Sequence, residues 1–303
     1  MAVVLWPKRR STPGYFVRCA QPSNYTPGGV SCAAQRDSLQ MLTTKLQRNL
    51  KMTPAISRIR VANVRDSSMS VSWVTDSPAH GWVNFGTSGA LGSTAYDDRD
   101  ALIVANTHHV TLVNLLPNTT YYFDLVSDGT IENNQGVHFT VTTGATLTLP
   151  NSDVIYGQVF KQGQATQVAA PQGDADLRRQ VNAGGLTPAT GALVYVTVSD
   201  QNNSGSPGTS APLSAVVDQY GYWQANLGNL RVNSSNNYFV YSASGDTLTI
   251  QVEGAMDGTA SRVGDTSPHA PVPPITLRIG EFRLFLPFVS GDPFRLFLPW
   301  IGR

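Results

Sequence analysis

The sequence predicts an all-β protein built from two tandem β-sandwiches, with a basic, irregular N-terminal arm and an apolar C-terminal β tail. Charged residues make up only 14% of the 303 residues, whereas 27 glycines and 19 prolines supply many turns. Short runs of alternating apolar and polar residues, separated by such turns, recur from residue 53 onward. A chain of this length can hold two domains of ordinary size, each with its own core.

Composition divides the chain into five segments. They are a basic arm (1–52), a first sandwich (53–146), a second sandwich (153–261), a Pro-rich linker (262–275) and an apolar repeat tail (276–303). The arm carries eight Lys or Arg residues and one acid, whereas the rest of the chain carries thirteen basic and nineteen acidic residues. Such an arm is expected to be solvated, and contact with an acidic surface or nucleic acid is the alternative. Because no aromatic residues alternate with the basic ones, we expect no nucleic-acid partner.

Both cysteines, Cys19 and Cys32, lie in the arm. They either close a short loop in an oxidising compartment or remain two free thiols.

Ala2–Trp6 is too short for the core of a signal peptide, and no window of about 18 apolar residues predicts a transmembrane segment. The turn-rich body is nevertheless extracellular in style, so we expect an extracellular or cell-surface protein.

Short strands account for the first sandwich. An opening strand contains Ile56, Ile59, Val61 and Val64, and the next strands are predicted at Ser70–Thr75, Gly81–Gly86, His108–Leu112, Tyr121–Val126 and Val137–Thr143. The alternation in the second strand places Val71 and Trp73 on one face, with Trp73 at the centre of the core. The turn before Tyr121 contains Pro and Asn, and we expect the Tyr121 hydroxyl to bond a backbone group a few residues upstream.

Four segments of this region resemble the fibronectin type III family. The resemblance is closer to the N-terminal accessory domain of purple acid phosphatases and related secreted hydrolases. The segments are Ser72–Thr75, Val83–Thr87, His109–Leu112 and Leu115–Tyr122. The resemblance implies a non-catalytic module, because the metal ligands of that family belong to a separate phosphatase domain. No Gly-Asp…Gly-Asn-His series follows residue 146, so we expect no catalytic residue, no metal and no cofactor.

Two polar clusters could suggest a metal site. His108 and His109 are adjacent on a predicted strand, so their rings point to opposite faces and cannot readily chelate one ion. We expect both to pack on the surface where the strand begins. Asp97, Asp98 and Asp100 lack an EF-hand pattern, and a solvated turn is the expected structure there rather than a calcium site.

The second sandwich is predicted from six further runs. They are Asp153–Phe160, Pro188–Val198, Ser214–Val217, Tyr222–Leu227, Tyr238–Tyr241 and Thr247–Glu253, with a hairpin at Asp218–Trp223. The segments Gly157–Val159, Gly191–Val194 and Asp218–Tyr222 resemble the carboxypeptidase regulatory-like (transthyretin-like) sandwich. That resemblance implies a second structural domain. The long insert 161–186 and the loop 202–207 depart from the family and would be where a partner binds.

The tail contains a doubled motif, Phe282–Phe288 and Phe294–Trp300, with a Gly-Asp-Pro turn between the copies. Its large apolar residues are the predicted assembly or anchoring site: Phe282, Leu284, Phe285, Leu286, Phe294, Leu296, Phe297, Leu298 and Trp300. Burying six such side chains contributes on the order of 9–18 kcal/mol, so the tail is expected to dock. A hairpin completing the second domain, strand addition to another subunit, and contact with a cell-envelope component all stay open.

Two hypotheses for function follow. The first is a non-enzymatic structural or adhesion protein of the cell surface, a stalk or filament subunit that assembles through its tail. The alternative is an accessory module of a secreted hydrolase that binds carbohydrate or a partner enzyme. Exposed Tyr or Trp rows on one sandwich face would favour the glycan ligand, and a tail paired across subunits would favour assembly.

Overall fold

The computed structural model describes residues 3–7, 15–19, 53–162, 185–267 and 270–279. The chain divides into two compact units, Met1–Thr53 and Pro54–Arg303. In the first unit, Val3–Pro7 (β1) pairs antiparallel with Tyr15–Cys19 (β2), so this part of the arm is not irregular, contrary to the prediction. None of the helices in the described ranges is long and apolar enough to cross a membrane.

The first sandwich of the second unit contains eight strands. They are β3 (Ile56–Ala62), β4 (Ser68–Ala79), β5 (Gly81–Gly86), β6 (Ser93–Tyr96), β7 (Ala105–Val113), β8 (Thr120–Ser127), β9 (Thr130–Glu132) and β10 (Phe139–Thr142), with a 3₁₀ turn at Asn134–Gly136. One sheet has the order β3-β4-β7, and the other has the order β10-β8-β5-β6, with β9 paired to β8. Val71 and Trp73 lie fully buried in the core between these sheets, as the alternation predicted.

The second sandwich also contains eight strands. They are β11 (Val154–Gln162), β12 (Leu186–Pro188), β13 (Leu193–Ser199), β14 (Leu213–Val216), β15 (Tyr222–Asn226), β16 (Thr247–Glu253), β17 (Thr259–Asp265) and β18 (Val272–Thr276), with 3₁₀ turns at Leu227–Asn229 and Ala255–Asp257. One sheet has the order β14-β13-β16-β17, and in the other β11 pairs with β12, β15 and β18. A separate apolar core fills the space between them. The prediction of an all-β sandwich protein is therefore confirmed.

The two sandwiches pack face to face. The sheet β3-β4-β7 lies against the sheet β14-β13-β16, with β3 opposite β16, β4 opposite β13 and β7 opposite β14. The hydrogen bonds that define this alignment join Arg60 to Gln251, Ser72 to Tyr195, and His109 to Ser214. The result is a stack of four sheets in which β3-β4-β7 is covered on both faces.

Three predictions about the second sandwich differ from the structure. Residues 262–275, expected to be a linker, contain the end of β17 and most of β18. Tyr238–Tyr241 is not a strand and contributes only an isolated bridge between Tyr238 and Arg231. The turn at Asp218–Tyr222 forms, but β14 and β15 on either side of it belong to different sheets, so it links sheets and is not a hairpin.

Several predictions fall outside the described residues. They concern Cys32, the insert 163–184 and the apolar motif of the tail from Phe282 to Trp300. Cys19 is the last residue of β2.

Candidate functional site

The face-to-face contact between the two sandwiches, here called the seam, is unusually polar. On β4, Met69, Val71 and Trp73 point into the first core, whereas Ser70 and Ser72 point into the seam, and all five are buried. Because a buried hydroxyl without a partner is costly, such a surface is stable only when each group is hydrogen-bonded. Ser70 meets this requirement through Asn63 and Thr111 of its own sandwich, and Ser72 meets it through Tyr195 of the other domain.

The bonds across the seam have short, regular geometry. Ser72 Oγ and the Tyr195 hydroxyl are 2.7 Å apart, and the Thr107 hydroxyl donates to the Gly191 carbonyl at 2.7 Å. The Arg60 guanidinium donates to Gln251 at 2.7 Å and lies 4.4 Å above the centre of the Tyr195 ring. Burial raises the pKa of Tyr195, so its hydroxyl stays neutral at ordinary pH.

At the β7–β14 side of the seam, four residues form the seam cluster: Asn63, Asp98, His109 and Ser214. His109 Nδ1 lies 2.7 Å from Asp98 Oδ2, and His109 Nε2 lies 2.8 Å from Ser214 Oγ. Asn63 Nδ2 donates to the same Ser214 oxygen at 3.0 Å, and Asn63 Oδ1 accepts from the Ser214 backbone N–H at 3.0 Å. A carboxylate, an imidazole and a hydroxyl are thus connected in series, with the hydroxyl supplied by the other domain.

The protonation of the seam cluster follows from its hydrogen bonds. Burial by itself raises the pKa of Asp98, but the bonds from His109 and Thr111 outweigh burial and hold that pKa below its ordinary value. An ionised carboxylate can only accept, so Nδ1 of His109 carries the proton of the neutral ring. Nε2 is then the acceptor for the Ser214 hydroxyl.

The seam cluster borders a groove of about 650 Å³. Its lining includes Asn63, Arg65, Asp98, Arg99, His109 and Ser214. Arg99 is held by Asp97, with Nε and Nη2 each 2.8 Å from a carboxylate oxygen. The guanidinium of Arg65 contacts no carboxylate within the ranges that the structure describes. The groove therefore combines a hydroxyl, an imidazole and a cation.

The prediction that the two histidines pack on the surface is wrong. His108 is fully buried and stacks on Trp73, with ring centroids 4.9 Å apart. His109 is 4% exposed and faces the seam, so the two rings do point in opposite directions. Neither histidine is exposed, because the first core covers one face of β7 and the second domain covers the other face.

The aspartate loop also differs from the expected solvated turn. The side chain of Asp97 is fully buried and pairs with Arg99, while Asp98 bonds His109 and Thr111. Burial alone raises the pKa of Asp97, but the hydrogen bonds and charge of Arg99 outweigh it and bring the pKa well below its ordinary value. Asp98 and Asp100 are both exposed residues, and Asp100 accepts a hydrogen bond from the Leu102 backbone N–H within its own loop. Among the described residues, no group of three or more His, Cys, Asp or Glu side chains could hold a metal ion.

Tyr121 closes the corner that precedes β8. Its hydroxyl accepts a hydrogen bond from the Leu116 backbone N–H at 2.9 Å, five residues upstream. The ring is 6% exposed and belongs to the first core. The predicted assembly residues of the tail, Phe282 to Trp300, lie outside the described residues.

No local pattern in the sequence identifies the seam cluster. Asp98 and His109 fit metal ligands or surface groups, and Ser214 fits the start of a strand. Ser214 lies more than one hundred residues after His109 in the chain, so no local spacing links the two residues. The run of hydroxyl residues on β4 is the one sequence feature that indicates the seam, because Ser70 and Ser72 lie on a face that is buried in the structure.

The comparisons with known proteins concern mainly the first sandwich. Residues 55–143 match the family model of the purple acid phosphatase N-terminal domain, which has a fibronectin-like fold. No curated protein matches the chain. The resemblance of the second sandwich to the carboxypeptidase regulatory-like family stays a prediction.

Three solved structures are similar at low identity. The match to a structure of PhoD covers 34% of this chain and 22% of the PhoD chain, at 10% identity and a TM-score of 0.23. The chicken CNTN1 FN1–FN3 domains match 74% of this chain and 68% of their own, at 12% identity and a TM-score of 0.21. The Yersinia pseudotuberculosis adhesin InvE matches 70% of this chain and 58% of its own, at 12% identity and a TM-score of 0.17. The chain thus spans about a fifth of the PhoD chain and less than two thirds of InvE.

Proposed function

We propose that this protein is a structural or adhesion subunit of the cell surface or extracellular space, and that it assembles through its C-terminal apolar strands. The observation that carries the proposal is the seam, which joins both sandwiches into one compact unit through paired polar groups. Such bonds keep the two sandwiches in one arrangement, as a structural or presenting subunit requires. The match of residues 55–143 to a non-catalytic accessory domain supports this role.

The tail supplies the means of assembly in this proposal. Each of its two copies places four or more large apolar side chains within seven residues, and an exposed strand of that composition pairs readily with another sheet. After β18, the backbone of Arg278 forms an isolated bridge with that of Thr259 in β17. The last described residues therefore lie beside β17. A tail that begins there starts next to a sheet edge.

The test compares the full chain with a version ending at Ile279. This end point keeps β18, whose Val272 and Ile275 are part of the second core, and removes both tail motifs. We expect light scattering to show oligomers for the full chain and monomers for the shortened one at equal concentration. A matched control replaces Phe285 and Phe297 with Ser in the full-length chain. Monomers in all three samples would contradict the proposal.

The alternative function, a glycan-binding accessory module, is favoured by one observation. On the outer face of the second sandwich, Tyr156 and Tyr222 are about half exposed and lie on adjacent strands, offset by two residues in register. Gln158 and Gln224 share that face, since Gln158 pairs with Tyr222 and Gln224 with Tyr156. Flat aromatic rings flanked by amides suit a neutral sugar chain, which stacks on the rings and bonds to the amides.

A glycan array with the full-length protein tests this alternative. Binding of a neutral oligosaccharide should be lost in the double variant Tyr156→Ala/Tyr222→Ala. It should persist in Tyr96→Ala, which removes a tyrosine of similar exposure from the first sandwich. Equal binding by both variants, or no binding by the unmodified protein, would contradict the glycan-binding function. The proposal of a structural or adhesion subunit would then stand alone.

A further inference from the structure

We propose that Ser214 is a nucleophilic serine, activated by His109 and Asp98, and that the groove at the seam admits an ester substrate. This inference goes beyond the scaffold function, and it departs from the expectation that the chain has no catalytic residue. A structural subunit can carry such a site, so either proposal can stand without the other.

The geometry provides the two contacts that acyl transfer needs. A nucleophilic hydroxyl must lie within hydrogen-bonding reach of a base, and the base must be oriented by a third group. Ser214 Oγ is 2.8 Å from His109 Nε2, and His109 Nδ1 is 2.7 Å from Asp98 Oδ2. Because Asp98 is ionised, it fixes the tautomer in which Nε2 is free to take the serine proton.

The surroundings of the three residues favour the same chemistry. His109 is almost fully buried, so its ring cannot rotate freely into water. Asp98 is held by two donors besides His109, the Thr111 backbone N–H at 2.7 Å and its hydroxyl at 2.6 Å. Ser214 is half-buried and lines the groove, where a substrate can reach it.

Two further groups suit the substrate. Asn63 Nδ2 lies 3.0 Å from Ser214 Oγ, so this amide stands beside the atom that would attack and can donate to the negative oxygen that forms. Arg65 also lines the groove, and its charge suits a substrate with an anionic group. The class of substrate is therefore a small ester that carries a carboxylate or phosphate.

The reaction balances without any cofactor. Ser214 Oγ bonds to the carbonyl carbon while its proton moves to His109 Nε2, and the tetrahedral intermediate expels the alcohol, which takes that proton. Water then attacks the acyl-serine with His109 again as base, which releases the acid and restores the hydroxyl. The net change is one ester and one water converted to one acid and one alcohol.

A fluorophosphonate probe tests the proposal on the full-length protein. Attack by Ser214 forms an Oγ–P bond and breaks the P–F bond, with the serine proton leaving through His109 to give HF. We expect mass spectrometry of the labelled protein to place the adduct on Ser214. His109→Gln should slow labelling by about 100-fold or more, because it removes the base.

The controls separate catalysis from folding. Ser68→Ala removes another serine that lines the same groove, and this variant should be labelled at the original rate. Ser214→Ala should carry no adduct in the peptide that contains position 214. Because mapping the adduct needs only the unmodified protein, a variant that fails to fold does not decide the result. An adduct absent from Ser214, or equal rates in the His109→Gln variant, would overturn the proposal.

Discussion

Ser72 Oγ and the Tyr195 hydroxyl lie 2.7 Å apart, and this contact joins β4, the middle strand of its sheet, to β13, an inner strand of the facing sheet. Both groups are buried, so neither can replace its partner with water at no cost. The pair therefore shows how the seam is stabilised, by a hydrogen bond between two buried hydroxyls that come from different domains.

The Ser72–Tyr195 pair should be measurably coupled. Tyr195→Phe leaves the Ser72 hydroxyl with a poorer partner, so we expect a loss of about 1–2 kcal/mol in the free energy of unfolding. A double-mutant cycle with Ser72→Ala should give a coupling of about 0.5–1.5 kcal/mol, measured by urea unfolding. Arg58→Ala breaks an ion pair with Glu253 whose arginine is half exposed, and it should cost less than about 1 kcal/mol. A larger loss from Arg58→Ala than from Tyr195→Phe would contradict this account of the seam.

Gly81 should not tolerate a side chain. A Cβ at this position would lie 2.3 Å from His108 Nδ1 and 2.8 Å from Cζ2 of Trp73. Gly81→Ala therefore forces the buried ring pair apart, and we expect a loss of about 1–3 kcal/mol, seen as a lower thermal midpoint. Gly264→Ala is the matched control on β17, because nothing lies within 4 Å of its Cβ position. That control should be neutral or slightly stabilising, and a thermal midpoint that falls equally in both variants would count against steric exclusion at Gly81.

The hydroxyl of Tyr121 should stabilise the corner before β8. Tyr121→Phe removes the acceptor of the Leu116 N–H and should lower the free energy of unfolding by about 1–2 kcal/mol. Tyr122→Phe removes a hydroxyl from the neighbouring residue, whose ring is only partly buried. We expect that control to cost less than about 0.5 kcal/mol. Chemical denaturation measures both values, and equal losses would show that the corner bond does not contribute.

The buried Asp97–Arg99 pair should make stability depend on acid. The native pKa of Asp97 lies below the ordinary value of 3.8, so the unfolded chain takes up this proton first. Its contribution is fully present above pH 3.8 and is lost as the pH falls from there toward the native pKa. Asp97→Asn should cost about 3 kcal/mol at neutral pH and reduce the loss of stability below pH 3.8.

Urea unfolding at several pH values from neutral to acid measures this effect. Asp100→Asn, on the same loop with an exposed side chain, should cost less than about 1 kcal/mol at neutral pH. If Asp97→Asn unfolded with the same acid dependence as the unmodified protein, another group would be responsible.

The sequence predicted the apolar face of β4 correctly. Val71 and Trp73 occupy the first core because a period of two identifies one face of a strand without any knowledge of its partners. The opposite face of the same strand carries Ser70 and Ser72, and polar residues at that period indicate solvent. Their burial depends on β13 and β14, which come more than one hundred residues later, so nothing local in the sequence could show it.

The sequence does not predict the two strands after residue 258, and the reason is different. Pro273 and Pro274 suggested a spacer, since proline cannot donate a backbone hydrogen bond inside a sheet. In the structure they lie in β18, which pairs with β11 along one side only, and an edge strand tolerates proline. The other strand, Thr259–Asp265, is largely exposed and contains few large apolar residues, so it lacks the alternating pattern that predicts a strand.

The serine- and threonine-rich face of β3-β4-β7 also bears on how the protein is made. When only the first sandwich has been synthesised, the face that will contact the second sandwich exposes hydroxyl groups and not large apolar side chains. Water can satisfy those groups in the meantime, so early folding of this half need not invite aggregation on the ribosome. The docking partner arrives later and simply replaces solvent.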